Sequence, residues 1–210
     1  MLSSCAAHKI EKKLVKQGEE NDYFRGLVVY NTKKGKEIIN YNGNKYFTPA
    51  SNTKLFTFYT AFRTLRDSVI GLQYARKKDS LIIKGTADPT FLYGFDNSKT
   101  LEFLKKQTGN IYLVDESIAE DSFGPGWAWD DYTYDYMPEK SLFPIYGNMV
   151  KINKTKNQIS IVPGLFKDDI VVDATAEKRR DYDKNVFYVK PGEEIKDLLV
   201  PFKTSNQLLA

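Results

Sequence analysis

Apolar and polar residues recur in two different periods along this chain, and the change of period marks its organisation. Ile10, Leu14 and Val15 fall at i, i+4 and i+5 within an otherwise polar segment, which predicts an amphipathic helix over residues 8–17. The period then shortens. A strand-like segment at 26–30, a turn at Lys33-Lys34-Gly35 and a second strand near Glu37, Ile38 and Ile39 predict a β-hairpin. The run Leu55, Phe56, Phe58, Tyr59 and Phe62 predicts a helix anchored in a core, with Pro49 at the first helical position and Thr48 as its cap. From about residue 76 the pattern becomes short alternating strands separated by Tyr- and Asp-rich loops. Within that stretch, 99–108 predicts a helix ended by Gly109 and Asn110, and 111–114 a strand. Segments 149–153 and 158–162 predict a further hairpin turning over 154–157, and 185–189 predicts a last strand.

The stretch with most chemical content lies at the start of the second helix. Ser51, Asn52, Thr53 and Lys54 form a Ser-x-x-Lys. Residues three apart share a helix face, with Cβ atoms roughly 5–6 Å apart. A serine hydroxyl needs an adjacent base to become a nucleophile. A lysine can be that base if its ammonium form is disfavoured, and both the positive end of the helix dipole and burial act in that direction. The pair is therefore a candidate acylating serine with its base. The motif alone is common as an exposed polar pair, so the surrounding chain has to carry the argument.

That surrounding chain resembles a known family. The hairpin, Asn42-Gly43-Asn44 and then Phe47-Thr48-Pro49-Ala50-Ser51-Asn52-Thr53-Lys54-Leu55 resemble the opening of the active-serine penicillin-recognising enzymes. The match is to the penicillin-binding protein 4 type of D-alanyl-D-alanine carboxypeptidase/endopeptidase. Gly85-Thr86-Ala87-Asp88-Pro89-Thr90 is similar to that family's Gly-x-x-Asp-Pro-Thr segment, and Trp127-Ala128-Trp129-Asp130-Asp131 to its Trp-x-Trp-Asp-Asp segment. Ser141-Leu142-Phe143-Pro144-Ile145 follows in the family's order, and the resemblance spans roughly residues 23 to 210. It implies an α+β fold, part of a penicillin-binding-protein/β-lactamase-like transpeptidase domain with an inserted β-rich domain. On that basis 1–22 is an N-terminal segment, 23–75 the first part of the catalytic domain, 76–199 the insert, and 200–210 the return to the catalytic domain. The paired tryptophans are expected to brace the small domain rather than to touch substrate.

Composition fits this picture and narrows the chemistry. The chain has 210 residues, 41% hydrophobic and 14% aromatic, enough for one large or two small domains with a core. Its 31 basic and 27 acidic residues are too balanced to imply nucleic acid, and lysines spread along the chain read as solvated faces. His8 is the one histidine and Cys5 the one cysteine, so no His/Cys zinc cluster and no Ser-His-Asp triad can be assembled around Ser51. That favours a lysine base, and no metal or cofactor is implied. Leu2-Ser3-Ser4-Cys5 fits the end of a bacterial lipoprotein signal, which would place a lipid on Cys5, although the apolar segment that such a signal needs is missing before it. No run of about 20 apolar residues is present to span a membrane.

The family assembles its site from three boxes, and two further matches are present: Tyr146-Gly147-Asn148 and Lys203-Thr204-Ser205. Tyr146, Asn148 and Lys203 are thus candidate substrate-binding residues. Three points weigh against them. The first match runs straight into a strand. The other ends in Ser205 where the family's box ends in Gly. Few residues follow it to complete a sheet. The expectation is that both are decoys and that the second and third boxes lie beyond Ala210. What the resemblance implies is acyl transfer: Ser51 attacks the penultimate D-Ala of a peptidoglycan stem peptide, Lys54 takes its proton, and β-lactams inhibit by acylating the same serine. It also implies a bacterial envelope location, periplasmic or lipid-anchored, with membrane contact only through that lipid. Two rivals stand beside it: a non-catalytic envelope binding protein of the same fold, and a β-lactamase or esterase of the superfamily.

Overall fold

The computed structural model describes residues 2–21, 24–65, 67–94, 99–116, 118–156 and 158–209. Helices and strands alternate along the chain without repeating β-α-β units, an α+β organisation, and the chain divides into two compact units, 1–64 and 65–210.

The first unit is helix α1 (Leu2–Asn21), strands β1 (Leu27–Asn31) and β2 (Lys36–Tyr41), and helix α2 (Lys54–Thr64). The two strands pair antiparallel around a turn in which Gly35 takes φ +63°, a conformation that strains a side-chain-bearing residue and is easy for glycine. Helix α1 lies against β2, and Arg25 donates to Gln17 Oε1 at 3.2 Å, tying the end of the helix to the approach to β1. Asn42 donates back to the Arg25 carbonyl at 2.9 Å, and Phe24 stacks on Phe47 at 4.6 Å, so the open end of the hairpin is closed. Ile39 is the one buried apolar side chain among the described residues of this unit. A lone two-stranded hairpin is marginal by itself.

The second unit holds two three-stranded sheets. Strands β3 (Leu72–Lys77) and β4 (Ser80–Gly85) form an antiparallel pair, and β5 (Asn110–Leu113) joins β4 in parallel after the crossover helix α3 (Lys99–Lys105). Alternate residues of β4, Leu81 and Ile83, point into a cluster with Phe91 and Phe143. The other sheet has the order β10-β6-β7, from β6 (Met149–Lys154), β7 (Ile159–Val162) and β10 (Ile195–Pro201). Strands β8 (Ile170–Val172) and β9 (Phe187–Val189) pair in parallel, and the short helix α4 (Asn206–Leu209) follows β10. Val150, Ile152, Ile161, Phe166, Phe187, Val189, Val200 and Phe202 form the larger core. Each such burial is worth about 1.5–3 kcal/mol relative to exposure. Arg180 lies inside this unit, almost wholly buried, and donates to the carbonyls of Pro201, Asp181, Tyr182 and Lys184 with its guanidinium 5.1 Å from the Tyr132 ring.

Several expectations from sequence are revised. The boundary expected at 75/76 falls inside β3, and that at 199/200 inside β10. Both strands make all their pairings within the second unit, so residues 65–75 and 200–202 belong to it. Composition changes there, but backbone hydrogen bonding decides membership. Strand β9 is not the last: β10 follows it. Its pattern is hidden because the register shifts between Ile195 and Leu198, where Asp197 adopts φ +51°. The two parallel pairings have no counterpart among the expectations, since period alone cannot tell which strands will be neighbours.

Candidate active site

Ser51 opens a single 3-10 turn, Ser51–Thr53, that feeds directly into α2. The expected cap is not the one used. Thr48 and Pro49 lie outside the turn, and Ala50 occupies the cap position without a side-chain bond. Instead Asn52 Oδ1 accepts from the Ala50 N–H at 2.8 Å, while the Thr53 N–H and hydroxyl both donate to the Ala50 carbonyl. These local side-chain bonds delay the helix start by two residues relative to the proline signal. Lys54 Nζ reaches Ser51 Oγ at 3.4 Å, at the long edge of hydrogen bonding, so the pair does share a face.

The burial expected around this pair is absent from the unit. Ser51 and Lys54 are exposed, and α2 buries none of its residues: Leu55, Phe56, Phe58 and Phe62 are between 68% and 76% exposed. Phe58 and Phe62 stack on each other at 6.2 Å and on no other ring among the described residues. The expectation of a core-anchored helix therefore fails here, because the one hairpin and α1 are occupied with each other. A helix apolar over so much of its surface is of the kind normally buried.

Tyr146–Asn148 and Lys203–Ser205 lie in the second unit, where hydrogen bonding employs them structurally. Tyr146–Asn148 is a 3-10 turn running into β6, with Gly147 at φ +63° against the Tyr93 ring. Asn148 is 2% exposed, and its amide donates to the Glu139 carbonyl and to Ser141 Oγ, both at 2.9 Å, while its own carbonyl accepts from Phe202 N–H. In the Lys203–Ser205 segment the Thr204 N–H and hydroxyl both donate to Glu139 Oε2 at 2.8 Å, and the Lys203 N–H donates to Asn185 Oδ1. Lys203 Nζ sits 6.0 Å from the Tyr182 ring centre. Glu139 thus clasps the two motifs to each other. Sequence reasoning missed this residue, since nothing local marks a glutamate whose partner is 65 positions away. Beside the clasp lies a cavity of about 290 Å³, with Lys84, Glu116, Glu120 and Lys140 on its walls as two ion pairs.

The tryptophan segment also departs from expectation. Trp127 packs beside Phe123 and over Gly124, but Trp129 is 73% exposed and meets Tyr182 edge-on. Bracing falls to the residues after it: Tyr132, Thr133 and Met137 are buried, and the Tyr132 hydroxyl donates to the Arg180 carbonyl. The hydrogen bond to Asp131 pushes the Tyr136 phenol up to about 12, and burial pushes Tyr132 up. Elsewhere in this unit Arg179 donates twice to Glu193 and holds its carboxyl down at about 2. Cys5 falls in the backbone of α1, and its side chain lies outside the described residues.

Known proteins resemble this chain in sequence and in fold. The model of the D-Ala-D-Ala carboxypeptidase 3 (S13) family matches residues 6–165, a span that holds the first hairpin, Ser51, Lys54 and the tryptophan segment. The D-alanyl-D-alanine carboxypeptidase DacB of Haemophilus influenzae is 28% identical over 121 residues, covering 51% of this chain and 25% of that protein. In structure, penicillin binding protein 4 from Haemophilus influenzae aligns with a TM-score of 0.55 at 23% identity, covering 86% of this chain and 47% of that one. The chain therefore spans between a quarter and a half of the length of these relatives. The family model covers more than half of the chain and the fold matches, and the chain belongs to the D-Ala-D-Ala carboxypeptidase 3 (S13) family.

Proposed function

We propose that Ser51 and Lys54 are the acylating pair of a serine D-alanyl-D-alanine carboxypeptidase acting on peptidoglycan stem peptides in the bacterial envelope. The observation that carries this reading is Lys54 Nζ at 3.4 Å from Ser51 Oγ at the start of a helix, inside the span matched by the family. Lys54 in its neutral form accepts the hydroxyl proton as Ser51 Oγ attacks the carbonyl carbon of the penultimate D-Ala. The tetrahedral oxyanion takes a hydrogen bond from the Ser51 backbone N–H, a group of the first turn with the helix dipole behind it. Collapse breaks the peptide C–N bond, the terminal D-Ala leaves with the proton, and water then hydrolyses the ester. A β-lactam presents a strained amide to the same hydroxyl and leaves a stable acyl-enzyme.

Tyr146, Asn148 and Lys203 take no part in this reading, because Asn148 is engaged by Glu139 and Ser141, and the backbone around Lys203 by Asn185 and Glu139. Among the described residues no proton relay and no second oxyanion donor is assigned beside Ser51, and since each is worth roughly 10²-fold or more, slow acylation is the expected outcome for this chain. Intact-mass measurement after long incubation with penicillin tests this: a slow adduct is expected on the parent and none on Ser51→Ala. A folded parent that stays unmodified, or a Ser51→Ala chain that is modified equally, overturns the assignment of Ser51. Rapid D-Ala release from a stem peptide by this chain overturns the exclusion of Tyr146, Asn148 and Lys203. The exposure of Ser51 and Lys54 favours one other reading, a non-catalytic envelope binding protein, which the unmodified parent would support.

A further inference from the structure

Helix α1 carries a charged face that the acyl-transfer reading does not use. Lys9, Lys12, Lys13 and Lys16 are all exposed, and at 3.6 residues per turn they fall within an arc of about 100°. Ala7, Glu11, Leu14, Val15 and Gly18 are half-buried on the opposite side, where the helix meets β2. The lysine face is thus held outward by the packing of its back. Lys16 pairs with Glu20 at 3.6 Å, and among the described residues no ion pair is made by Lys9, Lys12 or Lys13. The hairpin lysines Lys34 and Lys36 are not part of this face: they line a shallow cavity with Ala7, His8 and Glu11, where the back of the helix meets the hairpin.

Charge is correspondingly uneven along the chain. Residues 1–64 contain eleven Lys and Arg against five Asp and Glu, whereas residues 65–210 contain twenty against twenty-two. A solvated face needs no such segregation. The stripe from Lys9 to Lys16 is straight, about 10 Å long at 1.5 Å per residue, and holds no aromatic ring or groove, so its complement is a flat array of negative charge. It begins four residues after Cys5, the position at which the sequence suggests a lipid. A lipid and a basic patch together are the two signals that make peripheral anchoring stable.

We propose that the Lys9–Lys16 face of α1 lies on an anionic phospholipid surface. The inference rests on the envelope location in the proposed function but not on catalysis by Ser51. It also stands without the lipid, since each lysine near an anionic bilayer contributes about fivefold to partitioning.

The test is co-sedimentation of the full chain with vesicles of phosphatidylcholine containing phosphatidylglycerol, beside vesicles of phosphatidylcholine alone. The parent is expected to bind the anionic vesicles and to be released as salt rises, because the screening length contracts. Replacing Lys9, Lys12, Lys13 and Lys16 by Gln keeps helix propensity and is expected to weaken binding by on the order of several hundredfold. The proposal fails if that variant sediments like the parent. It fails equally if binding ignores salt and occurs on phosphatidylcholine alone, which would assign it to the bare face of α2. Displacement by soluble polyphosphate at matched phosphate concentration would reveal a general polyanion site and also overturn it. Should the glutamine variant lose helicity, the salt dependence of the parent decides. Penicillin adduct formation measured on the same samples separates this outcome from the fate of the Ser51 assignment.

Discussion

Helix α2 and the segment around Asn148 both carry a family-like box, and they sit in opposite physical states. On α2 the residues of the box face solvent, and the apolar side chains beside them, Phe56 and Phe62 among them, are about three-quarters exposed. Around Asn148 every polar atom of the box side chain is engaged, and the strand that follows is sealed at Val150 and Ile152. The difference shows what a motif needs in order to act. A nucleophile has to be reachable, and its helix can wait for surfaces supplied elsewhere. A buried amide held by two acceptors is already part of a scaffold.

The sharpest way to break this comparison is to truncate one phenylalanine on each side. Phe187→Ala empties a fully buried position and is expected to cost about 3–5 kcal/mol in urea unfolding. Phe62→Ala on α2 is expected to change the same measurement by less than about 0.5 kcal/mol. A large loss from Phe62→Ala would mean that α2 is covered in solution and that the contrast is false.

A middle-sized effect concerns the two boxes of the second unit, of which only Asn148 is buried. Asn148→Ala removes the donor shared by Glu139 and Ser141 and is expected to destabilise that unit by about 1–3 kcal/mol. Lys203→Ala, which leaves the backbone bonds to Asn185 intact, should stay within about 0.5 kcal/mol. If both substitutions leave stability unchanged and instead abolish the slow penicillin adduct, the two motifs are part of the site after all.

The smallest effect is electrostatic and belongs to the second unit alone. Arg179 depresses the Glu193 carboxyl from about 4.5 when unfolded to about 2 when folded. A carboxyl with a lowered folded value stabilises fully above its unfolded value and loses that contribution as pH falls towards the folded one. Stability of the second unit should therefore decline between pH 4.5 and 2, and Glu193→Gln should flatten that decline. An unchanged acid profile in the variant would show that the ion pair is not what titrates.

Much of this is legible in the residues, for reasons that are local. The hairpin β1–β2 follows from alternation around Lys33-Lys34-Gly35, since a turn needing positive φ announces itself by its glycine. The hairpin β6–β7 is visible from the alternation of its two strands, without a turn glycine, and α3 ends where Gly109 and Asn110 indicate, within a few residues. The Ser51–Lys54 proximity follows from helical spacing and needs no tertiary information. The cap is the local exception, because Asn52, two residues on, outcompetes the Thr48-Pro49 signal.

By itself, then, the sequence determined the family, the periodic elements and the one Ser-x-x-Lys pair, because each depends on spacing within a few residues or on motif order. Only the tertiary structure decided that Tyr146-Gly147-Asn148 and Lys203-Thr204-Ser205 are clasped by Glu139, and that Arg180 is the buried hub beneath β10. It also decided that α2 displays its phenylalanines while the lysines of α1 are turned outward by what packs behind them. Each of these depends on pairings between residues far apart in the chain. Whether a polar group is engaged or free is set by the partner that folding brings to it, and spacing along the chain carries no record of that partner.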